Sequence, residues 1–173
     1  MDMEDLKKWH NMEMTIGTYL HKNDSSQLRF LMEKGGCRSG RAFQYIDLAR
    51  TSPNIGFKIA HYISAFEALF STSSAELSHK LSERVAFFLG NYGYNKREVY
   101  KNIKEAYDVR SKLVHGDSLS SNKIEKITEI SSICDSYLRH IMQLFFGELS
   151  LVNIFDVAQG ELDDYFNSLI LGT

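Results

Sequence analysis

Apolar positions recur at helical spacing along most of this chain, and the pattern predicts a succession of helices. Leu6, Trp9, Glu13, Ile16, Tyr19 and Leu20 lie near one face of a first helix. Gln27 to Glu33 is a short apolar segment whose pattern fits a helix or a strand. A glycine-rich basic loop, Gly35-Gly36-Cys37-Arg38-Ser39-Gly40-Arg41, precedes a short helix over Ala42 to Ala49. Ser52-Pro53 then opens a helix from Asn54 to Phe70, with the proline in the first turn, where its missing N–H costs nothing. That helix is apolar almost all round, which predicts a central, buried position.

Three further helices carry start signals. Ser73 and Glu76 form a capping box ahead of Leu77, Leu81, Val85 and Phe88, and Gly90 ends the segment. Asn95 and Glu98 have the same spacing and open a helix that ends at Gly116, since glycine is the usual residue just past a helix end. Asn122 and Glu125 open a long helix with Ile124, Ile127, Ile130, Cys134, Leu138, Ile141 and Phe145 at helical spacing. After Gly147 come Leu151 to Ala158 and Glu161 to Leu171, both helical. The reading is an all-α bundle: residues 1–52 as a less regular, mostly helical N-terminal extension, and 53–173 as the compact core.

Composition narrows this picture. A chain of 173 residues with 43% apolar and 24% charged content supports one domain with a sizeable core. The single proline agrees with an all-α fold. A net charge of −2 does not advertise nucleic-acid binding, so any basic surface is local. Cys37 and Cys134 stand far apart in no metal-like spacing and read as free thiols of a reducing cytoplasm. No apolar run is long enough to span a bilayer, and the acidic start is unlike a signal peptide.

The helix from Asn95 to Gly116 holds the strongest anomaly. Val99, Ile103, Ala106, Tyr107, Leu113 and Val114 form one stripe, and Arg110 falls in its centre. A guanidinium cannot shed its proton to escape burial, so it needs an anionic partner or a polar site. Glu67 is the matching anomaly, sharing a face with Gly56, Ala60, Ile63 and Phe70 in the most apolar helix. The simplest solution is that the two meet, as a structural ion pair or as part of a site. His115 supplies a titratable group at the helix end, either as a cap or as an acid/base. Arg110 and His115 are about 140° apart around an ideal helix, so a shared site needs a bent helix end or a second copy. Two antiparallel copies across a two-fold axis supply the missing half.

Lys96, Arg97, Lys101, Lys104, Arg110 and Lys112 outnumber the acids of this helix and make either a local basic surface, with Lys104 and Lys112 as candidates to meet an anionic partner such as RNA, or an ordinary solvated face. Arg38 and Arg41 of the glycine-rich loop could hold phosphates, although the loop is no Walker motif. HExxH, paired CxxC, GxSxG and Rossmann glycines are all missing, so neither a metal nor a nucleotide cofactor is expected.

Arg110-x4-His115 followed by Gly116 resembles the signature of HEPN domains. The stretches Ala65–Phe70, Glu76–Ala86 and Tyr107–Gly116, in that order, sharpen this to the Apea-like HEPN group. The resemblance covers roughly Asn54 to the end. It implies an all-α, dimeric fold and the activity of many members, metal-independent RNA cleavage in prokaryotic defence and toxin systems. It implies that Arg110 and His115 line a cleft at a homodimer interface, with Ser111 as the polar residue after the arginine. RNA is then the partner, a defence-system protein a further one, and the cytoplasm the place. The toxins paired with nucleotidyltransferase antitoxins carry a tyrosine two positions after the histidine. Asp117 stands here instead, so that partner is not implied. Some members do not cleave, which leaves the alternative of a non-catalytic dimerisation or RNA-binding module of a larger protein.

Overall fold

The computed structural model describes residues 37–73, 77–156 and 158–172, and Arg38–Thr173 form one compact unit. The helix read from Leu6 to Leu20, the Gln27–Glu33 segment and most of the Ser73–Glu76 capping box lie outside the described residues. The described residues form an all-α bundle of seven helices with no strand: α1 Arg38–Thr51, α2 Ile55–Phe70, α3 Leu77–Gly90, α4 Lys96–His115, α5 Ser121–Gly147, α6 Leu149–Phe155 and α7 Gln159–Leu171.

Helix α2 is central, as its all-round apolarity requires. It packs against α1, α3, α4 and α5, and buries Ile59, Tyr62, Ile63, Ala65, Phe66, Leu69 and Phe70. Its start differs from the expected one. Asn54 is the N-cap, its side chain accepting from the Gly56 and Phe57 amides, and Pro53 precedes the helix. An Asx cap satisfies two of the orphan amides, which proline in the first turn cannot do.

Arg38 to Arg41 are helical, not loop, which corrects the expected start of α1. A carboxylate from far along the chain makes this possible. Asp156 accepts from the Arg38 and Ser39 amides and from the Ser39 hydroxyl, serving as a cap that the local sequence does not contain. Helix α6 stops at Phe155, with Asp156 as its C-cap residue, short of the expected Ala158. Ala42, Ile46 and Ala49 of α1 are buried in the core, and the expected boundary near residue 52 falls in the turn between α1 and α2.

Phenylalanines fill the centre. Phe155 lies 4.9 Å from Phe145, 5.3 Å from Phe70 and 5.4 Å from Phe88, centroid to centroid, mostly in edge-to-face geometry. Such pairs add roughly 0.5–1.5 kcal/mol each beyond area burial. The long helix α5 buries Ile130, Cys134, Leu138, Ile141 and Phe145 as its spacing foretold. It starts at Ser121 with Ser120 as cap residue, so Asn122 lies within the first turn and is not the cap. Ile124 stays 56% exposed, because the first turns of α5 project beyond the core. Burial pushes the Cys134 thiol up to about 12, and the neighbouring Asp135 charge adds to it, so this cysteine is an inert core residue.

No helix among the described residues is long and apolar enough to cross a membrane.

Candidate functional site

Helix α4 is fixed at both ends by its own sequence. Asn95 accepts from the Arg97 and Glu98 amides, as its spacing foretold. Gly116 adopts φ +75°, and its amide and that of Asp117 both donate to the Lys112 carbonyl. A left-handed residue here closes the last turn and is cheap only for glycine. The helix runs to His115 without a break.

The buried stripe of α4 is Val99, Ile103, Ala106 and Val109. Val109 was missing from the expected stripe, and Val114, which was in it, is 60% exposed. At about 100° per residue Arg110 still falls between Val99 and Ile103, inside the stripe as expected. Its side chain is 28% exposed, enough to reach a polar cleft while its stem packs.

There Arg110 Nη2 lies 3.7 Å from Glu67 Oε2, an ion-pairing distance longer than a hydrogen bond. The guanidinium carbon stands 5.7 Å from the centre of the Tyr107 ring, a cation–π arrangement. Glu67 Oε1 is buried and has no hydrogen-bond partner among the described residues. Burial pushes the Glu67 carboxyl above its ordinary value, against the pull of Arg110 in the other direction. Tyr107 is raised as well, first by burial and then by the Glu67 charge.

Glu67 and Arg110 line an open cleft of about 620 Å³, together with Arg41, Tyr45, Ser64 and Ser71. That volume lies within the ordinary range for ligand sites. Arg41 is partly buried and makes no hydrogen bond or ion pair with any described residue. The sequence pointed to Arg41 only as part of a loop; the helical start of α1 carries it to the cleft wall.

Arg38, its expected companion, has another task. Its guanidinium donates to the Ala68 and Ser71 carbonyls at the end of α2. Arg84 does the same for the Phe70 carbonyl and also donates to Asp163 and Thr72. This second network was not read from the sequence.

Comparison with family models, curated proteins and solved structures finds no match to this chain.

The remaining expected residues lie away from the cleft. His115 is exposed and has no hydrogen-bond or ion-pair partner among the described residues. On an ideal helix it stands about 140° around and about 7.5 Å along from Arg110, so one chain does not bring the two together. Ser111 and Lys104 fall within about 40° of His115, so these three share one outward stripe. Lys104 Nζ lies 5.6 Å from the centre of the Tyr100 ring. Lys112 pairs with Asp108 at 3.3 Å, and Lys123 of α5 also bonds the Asp108 carboxylate. Those contacts hold Asp108 below its usual range, that with Lys123 most strongly, and partly neutralise the basic surface. Among the described residues, no group of three or more His, Cys, Asp or Glu is placed to hold a metal.

Four of the exposed large apolar residues surround the His115 end of the bundle. Leu48 is in the last turn of α1, Phe57 in the first turn of α2, Val114 in the last turn of α4 and Ile124 in the first turn of α5. Leu113 packs on Gly56, which joins the end of α4 to the start of α2.

Proposed function

We propose that this chain is a metal-independent endoribonuclease of the HEPN type, acting as a homodimer in a prokaryotic defence or toxin-like system. The observation that carries the reading is the split on α4. An off-pattern arginine lines an open cleft, while an unpartnered histidine five residues later faces away from it. A second copy related by a two-fold axis can bring its His115 to the Arg110 side. The apolar residues around His115 support a contact surface at that end, since contiguous exposed apolar groups mark interaction sites. The place in defence rests on the sequence resemblance.

In the reaction, the ribose 2′-hydroxyl attacks the adjacent phosphorus and the bond to the 5′-oxygen breaks. The products are a 2′,3′-cyclic phosphate and a 5′-hydroxyl. His115 accepts the 2′ proton or donates one to the leaving 5′-oxygen, and with two copies near one phosphate both roles are filled. Arg110 stabilises the charge that grows on the phosphorane. Ser111 and Lys104, on the His115 stripe, contact the RNA backbone, with Lys112 beside them. Glu67 positions Arg110.

A second reading is favoured by one observation. Arg110 already faces Glu67 and His115 lies off the cleft, so a non-catalytic dimerisation or RNA-binding module uses the same surfaces without chemistry. Incubation with total RNA in EDTA separates the two. The nuclease leaves 2′,3′-cyclic phosphate ends, and His115→Ala abolishes them. The module binds RNA and leaves it whole.

A further inference from the structure

The cleft holds more recognition chemistry than phosphate transfer uses. Glu67 keeps one carboxylate oxygen unpaired among the described residues. Arg41 lines the same space with no partner among the described residues. Tyr45 contributes an aromatic wall, with His61 stacked 6.5 Å from its ring. A phosphate alone satisfies Arg41 or Arg110 but offers no donor to Glu67. The occupant must therefore offer donors to a carboxylate and acceptors to a guanidinium within one flat body that suits an aromatic neighbour.

Among the RNA bases this description selects guanine. Its N1–H and N2–H₂ are adjacent donors on the Watson–Crick edge, matched to a carboxylate. Its O6 and N7 are the acceptor pair that arginine engages with two N–H groups. Adenine offers a single exocyclic donor beside an acceptor, and the pyrimidines have no second edge for the arginine. We propose that the cleft is a guanine subsite. Glu67 accepts from N1–H and N2–H₂, Arg41 donates to O6 and N7, and Tyr45 packs against the base. Arg110, at the same cleft, is left for the phosphate of that nucleotide.

Glu67 Oε1 is enclosed in the structure. The terminal torsion of a glutamate is broad, so a small rotation presents both oxygens to the base. The cleft volume of about 620 Å³ accommodates a nucleotide. Single-stranded RNA is the form that fits, because in a helix the Watson–Crick edge is occupied. The inference deepens the nuclease reading and, for the position of cleavage, rests on it. The base preference itself does not.

The test is calorimetric titration of the full chain with guanosine and adenosine 3′-monophosphates, alongside mapping of cleaved RNA ends. The guanine nucleotide should bind at least ten-fold more tightly. Glu67→Gln swaps one acceptor for a donor and should remove that preference. Arg41→Ala, on the cleft wall and away from the core, should do the same and serves if the Glu67 variant folds poorly by circular dichroism. Equal affinity for the two nucleotides, no binding of either at millimolar concentration, or a preference that survives Arg41→Ala overturns the subsite. Guanine-selective binding without RNA cleavage upholds the subsite and ends the nuclease reading. Cleavage at ends that show no guanosine bias, with no nucleotide preference, upholds the nuclease and ends the subsite.

Discussion

Arg110 Nη2 approaches Glu67 Oε2 to 3.7 Å, while the other oxygen of the same carboxylate is buried and has no hydrogen bond among the described residues. The pair is half made. Arg110 lowers the cost of the Glu67 charge without removing it, and burial still leaves the carboxyl raised.

That imbalance fixes a sign. A carboxyl whose folded pKa is above its unfolded value binds more protons in the folded state. Its contribution to stability is present below the unfolded pKa and is lost as pH rises through the folded pKa. Wild type should therefore lose stability relative to Glu67→Gln as pH rises from the ordinary carboxylate range toward neutrality. Chemical denaturation at several pH values checks this. A difference that is flat with pH, or a wild type that gains stability relative to the variant as pH rises, contradicts it.

The catalytic prediction separates the two α4 residues. His115→Ala should lower RNA cleavage in EDTA by about 10²- to 10⁴-fold. Because His115 is exposed, stability should change by no more than about 0.5 kcal/mol. Arg110→Ala should lower cleavage by about 10²- to 10³-fold. Mixing the two inactive variants should restore part of the activity if each site combines Arg110 of one protomer with His115 of its partner. Full activity in either single variant speaks against the mechanism.

Dimerisation should depend on the apolar end of the bundle. Val114→Lys places a charge among Phe57, Ile124 and Leu48 at the same end and should raise the dimer dissociation constant by at least ten-fold in equilibrium sedimentation. The fold should persist, since Val114 is 60% exposed. An unchanged association constant places the contact elsewhere.

A stability prediction concerns Arg84 and Asp163. Arg84 Nη2 donates to Asp163 Oδ1 at 2.5 Å, and the Thr72 hydroxyl donates to the same carboxylate oxygen. These bonds outweigh burial and hold the Asp163 carboxyl low. Asp163→Asn leaves a buried guanidinium without its counter-charge. The pair is exposed on the Asp163 side, so the cost should be about 2 kcal/mol, less than for a fully enclosed pair. Thermal denaturation should show a Tm lower by about 6 °C. Because the folded pKa is depressed, this stabilisation is present above the unfolded value, about 3.9, and fades as pH falls through the folded one.

The local parts of this fold were readable in the sequence. Asn95 and Gly116 bound α4 as their chemistry demands, and the apolar surround of α2 placed it at the centre. The meeting of Glu67 and Arg110 followed from two charges that each broke an apolar pattern. What was not readable depends on distant partners. No local signal tells that Asp156 caps α1, 118 residues away from Arg38, or that Arg84 finds Asp163, 79 residues away. Val109 and Val114 differ in burial for a similar reason. The end of α4 projects past the core, and the length of the neighbouring helices decides where the core stops. Arg41 was read as part of a loop because its helix lacks a cap of its own.

The two guanidiniums at the end of α2 have a consequence for the potential inside the cleft. Arg38 donates to the Ala68 and Ser71 carbonyls, and Arg84 to the Phe70 carbonyl, at the terminus where a helix carries about half a negative charge. Glu67 is in that last turn and adds to the negative charge there. Two full positive charges, held by carbonyls and by Asp163, offset most of this negative charge. An anion arriving beside Arg110 therefore meets a field shaped by residues outside the site. Replacing Arg38 changes that field without removing any atom that the anion touches.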